Sequence, residues 1–167
     1  NADIEVVLAK AADVITYIEH GVCDAGIVGE DTIMEHGKWF HEILDLGFGK
    51  CKFALAGIKG MNFYEGYSHK VIASKYPKVT KTFFNQKGID VEIVKIEGSV
   101  ELAPILNLAD AIVDIVETGS TLRENGLEVY EDVAYISTRL IVNTASIKLK
   151  KAEIDDLVKR LSAVISK

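Results

Sequence analysis

With 167 residues, 49% of them hydrophobic and 26% charged, the chain has the composition of an ordinary globular protein, long enough for one large domain or two small ones. A formal charge of −6 and a pI near 5.2, without any block of Lys or Arg, argue against nucleic acid as the main partner, so an anionic ligand must be held by local groups. No apolar run reaches the roughly eighteen residues of a membrane helix and nothing reads as a signal peptide, which predicts a cytoplasmic protein with no membrane partner.

Asn1 stands where a starting Met is expected, and Ile4-Glu-Val-Val-Leu8 already reads as a strand. The chain is therefore expected to enter in the middle of a sheet, as a fragment or the ordered part of a longer protein. A helix is predicted from Asp13 to His20, with Val14, Tyr17 and Ile18 on one face and Gly21 at its end. Lys10 falls between the two, where open α/β sheets bind ligands, and a solvated surface position is an equal alternative. Asp24–Gly29 reads as a strand and Glu30–His36 as a helix stopped by Gly37. Trp39–Phe48 and Cys51–Ala56 are strand-like, joined by the glycine-rich Asp45-Leu-Gly-Phe-Gly-Lys50, which reads as a hinge, a close approach to ligand or a hairpin loop. Cys23 and Cys51 lack metal-ligand spacing and read as reduced core thiols.

From Gly57 to Ser68 the pattern breaks, marking a boundary between two lobes. Lys70–Ser74 is predicted as a strand, Pro77–Lys87 as a helix closed by Gly88, Asp90–Ile96 as a strand and Ser99–Leu106 as a helix with Asn107 as a left-handed cap. Further strands are read over Glu128–Val133 and Ala134–Thr144, and an amphipathic helix over Lys151–Ile165, with Ile154, Leu157, Val158, Leu161 and Ile165 at helical spacing.

The most informative stretch is Asp114-Ile-Val-Glu-Thr-Gly-Ser-Thr-Leu-Arg-Glu-Asn-Gly-Leu127. Ala111–Val116 is β-branched and fits a central parallel strand; Gly119 permits a tight turn, and Ser120 or Thr121 can cap the short helix that follows. N–H groups and hydroxyls together suit a phosphate, while Asp114 and Glu117 suit sugar hydroxyls or Mg²⁺. Ribose beside phosphate is the implied ligand, and a plain capped loop is the alternative. Residues 24–37 repeat the plan of 110–126, namely strand, polar turn, short helix and glycine. This predicts two lobes of like construction with a ligand cleft between them.

With this turn, the run Glu97-Gly-Ser-Val-Glu-Leu-Ala-Pro104 and Gly29-Glu-Asp31, the sequence resembles the catalytic subunit of ATP phosphoribosyltransferases over essentially its whole length. The most specific part joins Glu101 and Asp114 to Thr118, Gly119, Thr121 and Leu122, the family's signature for 5-phosphoribosyl 1-diphosphate. Leu8-Ala-Lys10 with Asp13, Asp24–Glu30, Leu44–Cys51, Ile72–Pro77 and Arg139–Asn143 also match. Asn107 stands where the family has Gly, and the family's opening strand and helix with a Lys-Gly-Arg motif are not in these residues.

The resemblance implies an α/β fold of two open-sheet lobes with helices on both faces, like type II periplasmic binding proteins. Lobe I would hold 1–57 and 137–167, lobe II 58–136, hinged near Gly57 and Ser137 so that ligand closes the cleft. It implies transfer of phosphoribosyl to N1 of ATP with release of pyrophosphate, the first step of histidine biosynthesis, with Mg²⁺ carried on the donor. Asp114, Glu117, Thr118, Gly119, Ser120, Thr121 and Leu122 would bind the donor; Lys10 would face the pyrophosphate; Glu30, Asp45, Tyr76 and Glu101 would line the rest. No general base and no metal ligand on the protein are assigned, and His20, His36, His41 and His69 read as solvated. The chain looks like the short form, partnered by a histidyl-tRNA-synthetase-like regulatory subunit through which histidine acts. The rival reading is a non-enzymatic two-lobed receptor or sensor module.

Overall fold

The computed structural model describes residues 4–66 and 69–165. The end of the expected boundary loop, at 67–68, lies outside them. The chain divides into two compact units, one of residues 1–49 with 137–167 and one of residues 50–136.

In the first unit, α1 (Ala11–Glu19) leads to β1 (Ala25–Gly29), α2 (Glu30–His36) and β2 (Phe40–Asp45). The unit is completed from the other end of the chain by β8 (Thr138–Asn143), α6 (Ser146–Leu149) and α7 (Lys151–Ile165). The sheet runs β1-β8-β2 with both pairings antiparallel. Its core joins Ile15 and Ile18 of α1 to Val28 of β1 and Ile141 of β8. Helical and strand spacing thus meet on one face, the i, i+3 pair of α1 against the sheet. Asn143 closes the unit: its Nδ2 donates to the Ile18 carbonyl at 2.6 Å, and its Oδ1 accepts from the Ala145 and Ser146 backbone at 2.8 and 3.0 Å.

In the second unit, β3 (Cys51–Ile58), β4 (Lys70–Ser74), α3 (Pro77–Gln86), β5 (Val91–Lys95), α4 (Leu102–Ile105), β6 (Ala111–Val116), α5 (Ser120–Glu124) and β7 (Leu127–Ile136) follow in order. They build a five-stranded mixed sheet, β5-β4-β6-β3-β7. Alternation along β3 sorts the core: Phe53 and Leu55 join Phe84, Ile72 and Val113 in one cluster, while Ala54 and Ala56 join Ala73, Ile112 and Leu127 in another. Small residues on one face and large on the other let helices of different size cover the two sides.

Several expectations require correction. Residues Ile4–Leu8 form no strand and are exposed, because β-branched side chains favour extended backbone but no described strand offers them a ladder. The first crossing lies between Gly49 and Lys50, not at Gly57. β3 pairs with β6 on one side and β7 on the other, so residues 51–57 belong to the second unit. β6 is central but only half parallel, running with β4 and against β3. The helix expected over Ser99–Leu106 shrinks to α4, since Pro104 has no N–H for the Val100 carbonyl and the preceding bonds span three residues, Leu102 to Ser99 and Ala103 to Val100.

Candidate active site

At the carboxyl end of β6 the chain turns through Glu117, Thr118 and Gly119 into α5. Gly119 is the N-cap and adopts φ 69° and ψ 13°, a left-handed conformation that costs an L side chain free energy, which is why glycine stands there. The capping role expected of Ser120 or Thr121 is not filled, since α5 has no side-chain cap bond; the nearest hydroxyl is that of Thr118. Its Oγ1 accepts from the Ser120 N–H at 3.4 Å and lies 3.0 Å from the Ser120 hydroxyl, and no side-chain cap bond comes from Ser120 or Thr121. Thr118, Ser120 and Thr121 are exposed, so their hydroxyls are available on the surface of the turn. Leu122 is buried against the second core cluster and anchors the turn from beneath, leaving its backbone as the part that can face a ligand. The internal echo holds in outline, since β1, α2 and Gly37 repeat β6, α5 and Gly126; the earlier copy, however, enters its helix from Gly29 at φ −67°, without the left-handed turn.

Three elements converge on Asp114. β4 lies parallel to β6, and the Ser74 hydroxyl donates to the Val113 carbonyl at 2.6 Å, which sets the residues after Ser74 beside Asp114. The Asp114 carboxylate accepts from the Ile115 N–H at 2.8 Å. Burial pushes its pKa above the ordinary carboxylate value and the nearby charge of Glu101 pushes the same way, against the Ile115 N–H and Lys75. Tyr76 donates its backbone N–H to the Ser74 hydroxyl at 2.9 Å, and its ring packs edge-to-face on Phe53 at 4.8 Å. That ring is part of the core, so Tyr76 contributes packing more than surface.

Within the second unit, therefore, Tyr76, Asp114 and residues 117–122 lie toward or beyond the carboxyl ends of the parallel strands β4 and β6, and Glu101 is near enough to Asp114 for its charge to act there. Lys10, Glu30 and Asp45 belong to the first unit. Lys10 is exposed and N-caps α1 through its backbone, its carbonyl accepting from Val14 at 3.0 Å. Glu30 and Asp45 come together around two residues to which the sequence reading gave no site role. Arg139 donates from Nε and Nη2 to Glu30 at 3.2 and 2.8 Å and pairs with Glu42 and Asp45 at 3.3 and 3.5 Å. Ser137 donates its hydroxyl to Asp45 at 2.8 Å and its N–H to Glu30 at 3.2 Å. Lys75 and Arg123 likewise stand beside the turn without a role in the sequence reading. Lys75 had the signal used for Lys10, a lysine just beyond a strand's carboxyl end. Arg123 folds back so that Nη1 donates to the Thr118 carbonyl at 3.0 Å, which no spacing rule announces.

Among the described residues, no group of three His, Cys, Asp or Glu side chains is placed to hold a metal ion, and no helix is long and apolar enough to cross a membrane. Asp114, Glu101 and Glu117 nevertheless offer carboxylate oxygens at the edge of the turn, the donor type that one or two contacts to a phosphate-borne Mg²⁺ require.

Comparison with known proteins points one way. The family model described as "HisG: ATP phosphoribosyltransferase" matches residues 10–163. ATP phosphoribosyltransferase of Clostridium kluyveri is 62% identical over 165 residues, 99% of this chain and 75% of the relative. That of Clostridium acetobutylicum is 58% identical over 98% of this chain and 76% of its own. The solved ATP phosphoribosyl transferase (HisG:HisZ) complex from Thermotoga maritima aligns with TM-score 0.85 at 39% identity, covering 95% of this chain and 77% of that one. Tv2483 bound to L-arginine aligns with TM-score 0.60 at 15% identity over 95% of this chain, a likeness of fold alone. The two open α/β sheets, with helices on their faces, match this architecture. The chain belongs to the ATP phosphoribosyltransferase family.

Proposed function

We propose that this chain is the catalytic subunit of an ATP phosphoribosyltransferase, joining N1 of ATP to C1 of 5-phosphoribosyl 1-diphosphate and releasing pyrophosphate, the first step of histidine biosynthesis. The observation that carries the reading is the placement of Glu101, Asp114, Thr118, Gly119, Thr121 and Leu122 about one exposed turn at the carboxyl end of the central strand. Displacement at an anomeric carbon develops positive charge on the ribose, so the protein's task is to position two anionic substrates and stabilise that charge. The backbone and hydroxyls of 118–122 hold the 5-phosphate. Asp114 and Glu117 accept hydrogen bonds from ribose hydroxyls, and their negative charge favours the electron-poor ring. Mg²⁺ carried with the donor would supply positive charge to the leaving diphosphate, and the carboxylates of Asp114, Glu101 and Glu117 are the groups beside the turn that could meet it.

On the first unit, Lys10 serves as a cation for a diphosphate, and Glu30 and Asp45, fixed by Arg139 and Ser137, serve as oriented acceptors. The chain acts as the short form beside a separate regulatory subunit resembling histidyl-tRNA synthetase, which carries histidine inhibition; the likeness to the Thermotoga maritima complex supports this.

The test is a pyrophosphate-release assay on the protein with its regulatory partner. Release from phosphoribosyl diphosphate that requires ATP and yields phosphoribosyl-ATP is expected; absence of ATP-dependent release from a folded complex would sink the reading.

A further inference from the structure

The sequence holds three arginines, and they are spent differently. Arg139 is met by Glu30, Glu42 and Asp45. Arg160 pairs with Asp156 at 2.8 Å, one turn back on α7. Arg123 has no carboxylate partner among the described residues, although Glu117 and Glu124 are near in sequence; it gives one donor to the Thr118 carbonyl at 3.0 Å. A guanidinium carries five N–H donors in a planar fork, so that single bond orients the group and leaves most of its donors and all of its charge unspent.

The location decides what the charge is for. Nη1 lies where a Cβ on Gly119 would come within 3.2 Å of it, so the guanidinium is laid against the tightest point of the turn, on the side glycine keeps open. The exposed hydroxyls of Thr118 and Ser120 stand on the same turn. A five-residue helix contributes only a weak dipole, and Asp114, Glu101 and Glu117 surround the turn with negative charge in a chain of net −6. A dianionic phosphate held there needs a full positive charge close by.

We propose that Arg123 is that charge: oriented by the Thr118 carbonyl, its guanidinium presents its remaining donors to the 5-phosphate of the phosphoribosyl donor and sets the site's preference for a dianion. The inference rests on the functional reading above and adds a residue to it.

Three variants separate charge from latch. Arg123→Met removes both; Arg123→Gln keeps a donor for the Thr118 carbonyl without charge; Arg123→Lys keeps the charge without the fork. Calorimetry on the complete complex should show donor binding weakened roughly tenfold to a hundredfold in the Met and Gln variants, with part of it recovered in Lys. ATP affinity and the thermal transition should be unchanged, and steady-state kinetics should show KM for the donor raised with kcat largely kept. A Gln variant that binds like wild type would make Arg123 a latch for the turn and overturn the proposal, as would a Met variant with wild-type affinity. Ribose 5-phosphate, titrated into the same proteins, keeps the two readings apart. Arg123-dependent binding of it by a protein that makes no product would sink the enzymatic reading alone, and no binding by wild type would sink both.

Discussion

In the first unit three carboxylates converge on one arginine; in the second, acids gather near the carboxyl end of the central strand while the arginine is held by a backbone carbonyl and meets none of them. Around Arg139, Glu30, Glu42 and Asp45 lie within 3.5 Å of the guanidinium, and Ser137 fills further acceptor positions. Around Asp114, Glu101 adds like charge, Lys75 forms no ion pair among the described residues, and burial of the carboxylate is offset by a single backbone N–H. The first cluster orients its acids through one guanidinium and Ser137, although three carboxylates on one cation still carry net negative charge. The second gives its buried carboxylate a single N–H and no ion pair among the described residues, which a folded protein tolerates where a ligand completes the set.

The largest effect on stability that would break this contrast comes from Arg139→Met. Removing the cation leaves three carboxylates facing one another. Arg139 and Glu30 keep 22% and 20% side-chain exposure while Glu42 and Asp45 keep 36% and 46%, so the loss in urea unfolding is expected below that of a fully buried pair and above that of an isolated surface pair, at about 2 kcal/mol. A loss no greater than that of an isolated surface pair would show that water, not Arg139, satisfies these acids.

Thr121→Ala sharpens the other side. The hydroxyl is exposed and caps nothing, so stability should hold while donor binding loses one charge-assisted hydrogen bond, about 1.5 to 3 kcal/mol by calorimetry. Equal affinities would remove the turn from the ligand site. Gly119→Ala asks less of chemistry and more of backbone. An alanine at φ 69° is strained by about 1 kcal/mol, and its methyl would stand against Arg123, so the midpoint of unfolding and donor affinity should fall together. A drop in stability with donor affinity untouched would separate the turn's geometry from its use.

These residues also show what a linear reading reaches. β6, α5 and the closing Gly126 follow from a β-branched run, a glycine and a second glycine, all local signals, and α7 has the bounds that its apolar spacing implied. The place of β3 was missed because which unit a strand joins depends on partners far along the chain, β6 and β7, not on its own residues. Ile4–Leu8 was misread for the same reason, since propensity marks extended backbone and pairing makes a strand. At the site, Asp114 and the hydroxyl turn were legible because neighbours in sequence build them. The Arg139 cluster was not: it joins residues about 109 positions apart, and only the antiparallel register of β1 and β2 on β8 brings them together. Tyr76, which the resemblance sets among the cleft-lining residues, has its ring in the core, and sequence alone does not say whether an aromatic after a strand turns inward or outward.

The smallest effect is the most pointed, because it predicts opposite signs for two aspartates. Asp24, in the first unit, is held below the ordinary carboxylate range first by the hydrogen bond from Lys150 and then by that from Ser146. A depressed folded pKa means the unfolded chain takes up the proton first, so Asp24 contributes stability above its unfolded pKa and loses it as pH falls through the folded one. Asp114 is raised, chiefly by burial, with Glu101 adding to it. The native state then holds a proton that the unfolded chain has released, so stability falls as pH climbs from the unfolded pKa near 3.8 to the raised folded value, and the full cost persists above it. Asn at either position keeps a carbonyl oxygen, which at 114 can still accept from Ile115. Urea unfolding at pH 3 and pH 7 should therefore show Asp24→Asn losing stability relative to wild type at pH 7 only, and Asp114→Asn gaining it at pH 7 only. A gain of that kind, with donor binding lost, is expected where a carboxylate is kept in place for a ligand at the expense of the fold. If Asp114→Asn is instead less stable than wild type at pH 7, the carboxylate is part of the protein's own packing and the contrast between the two acid clusters fails.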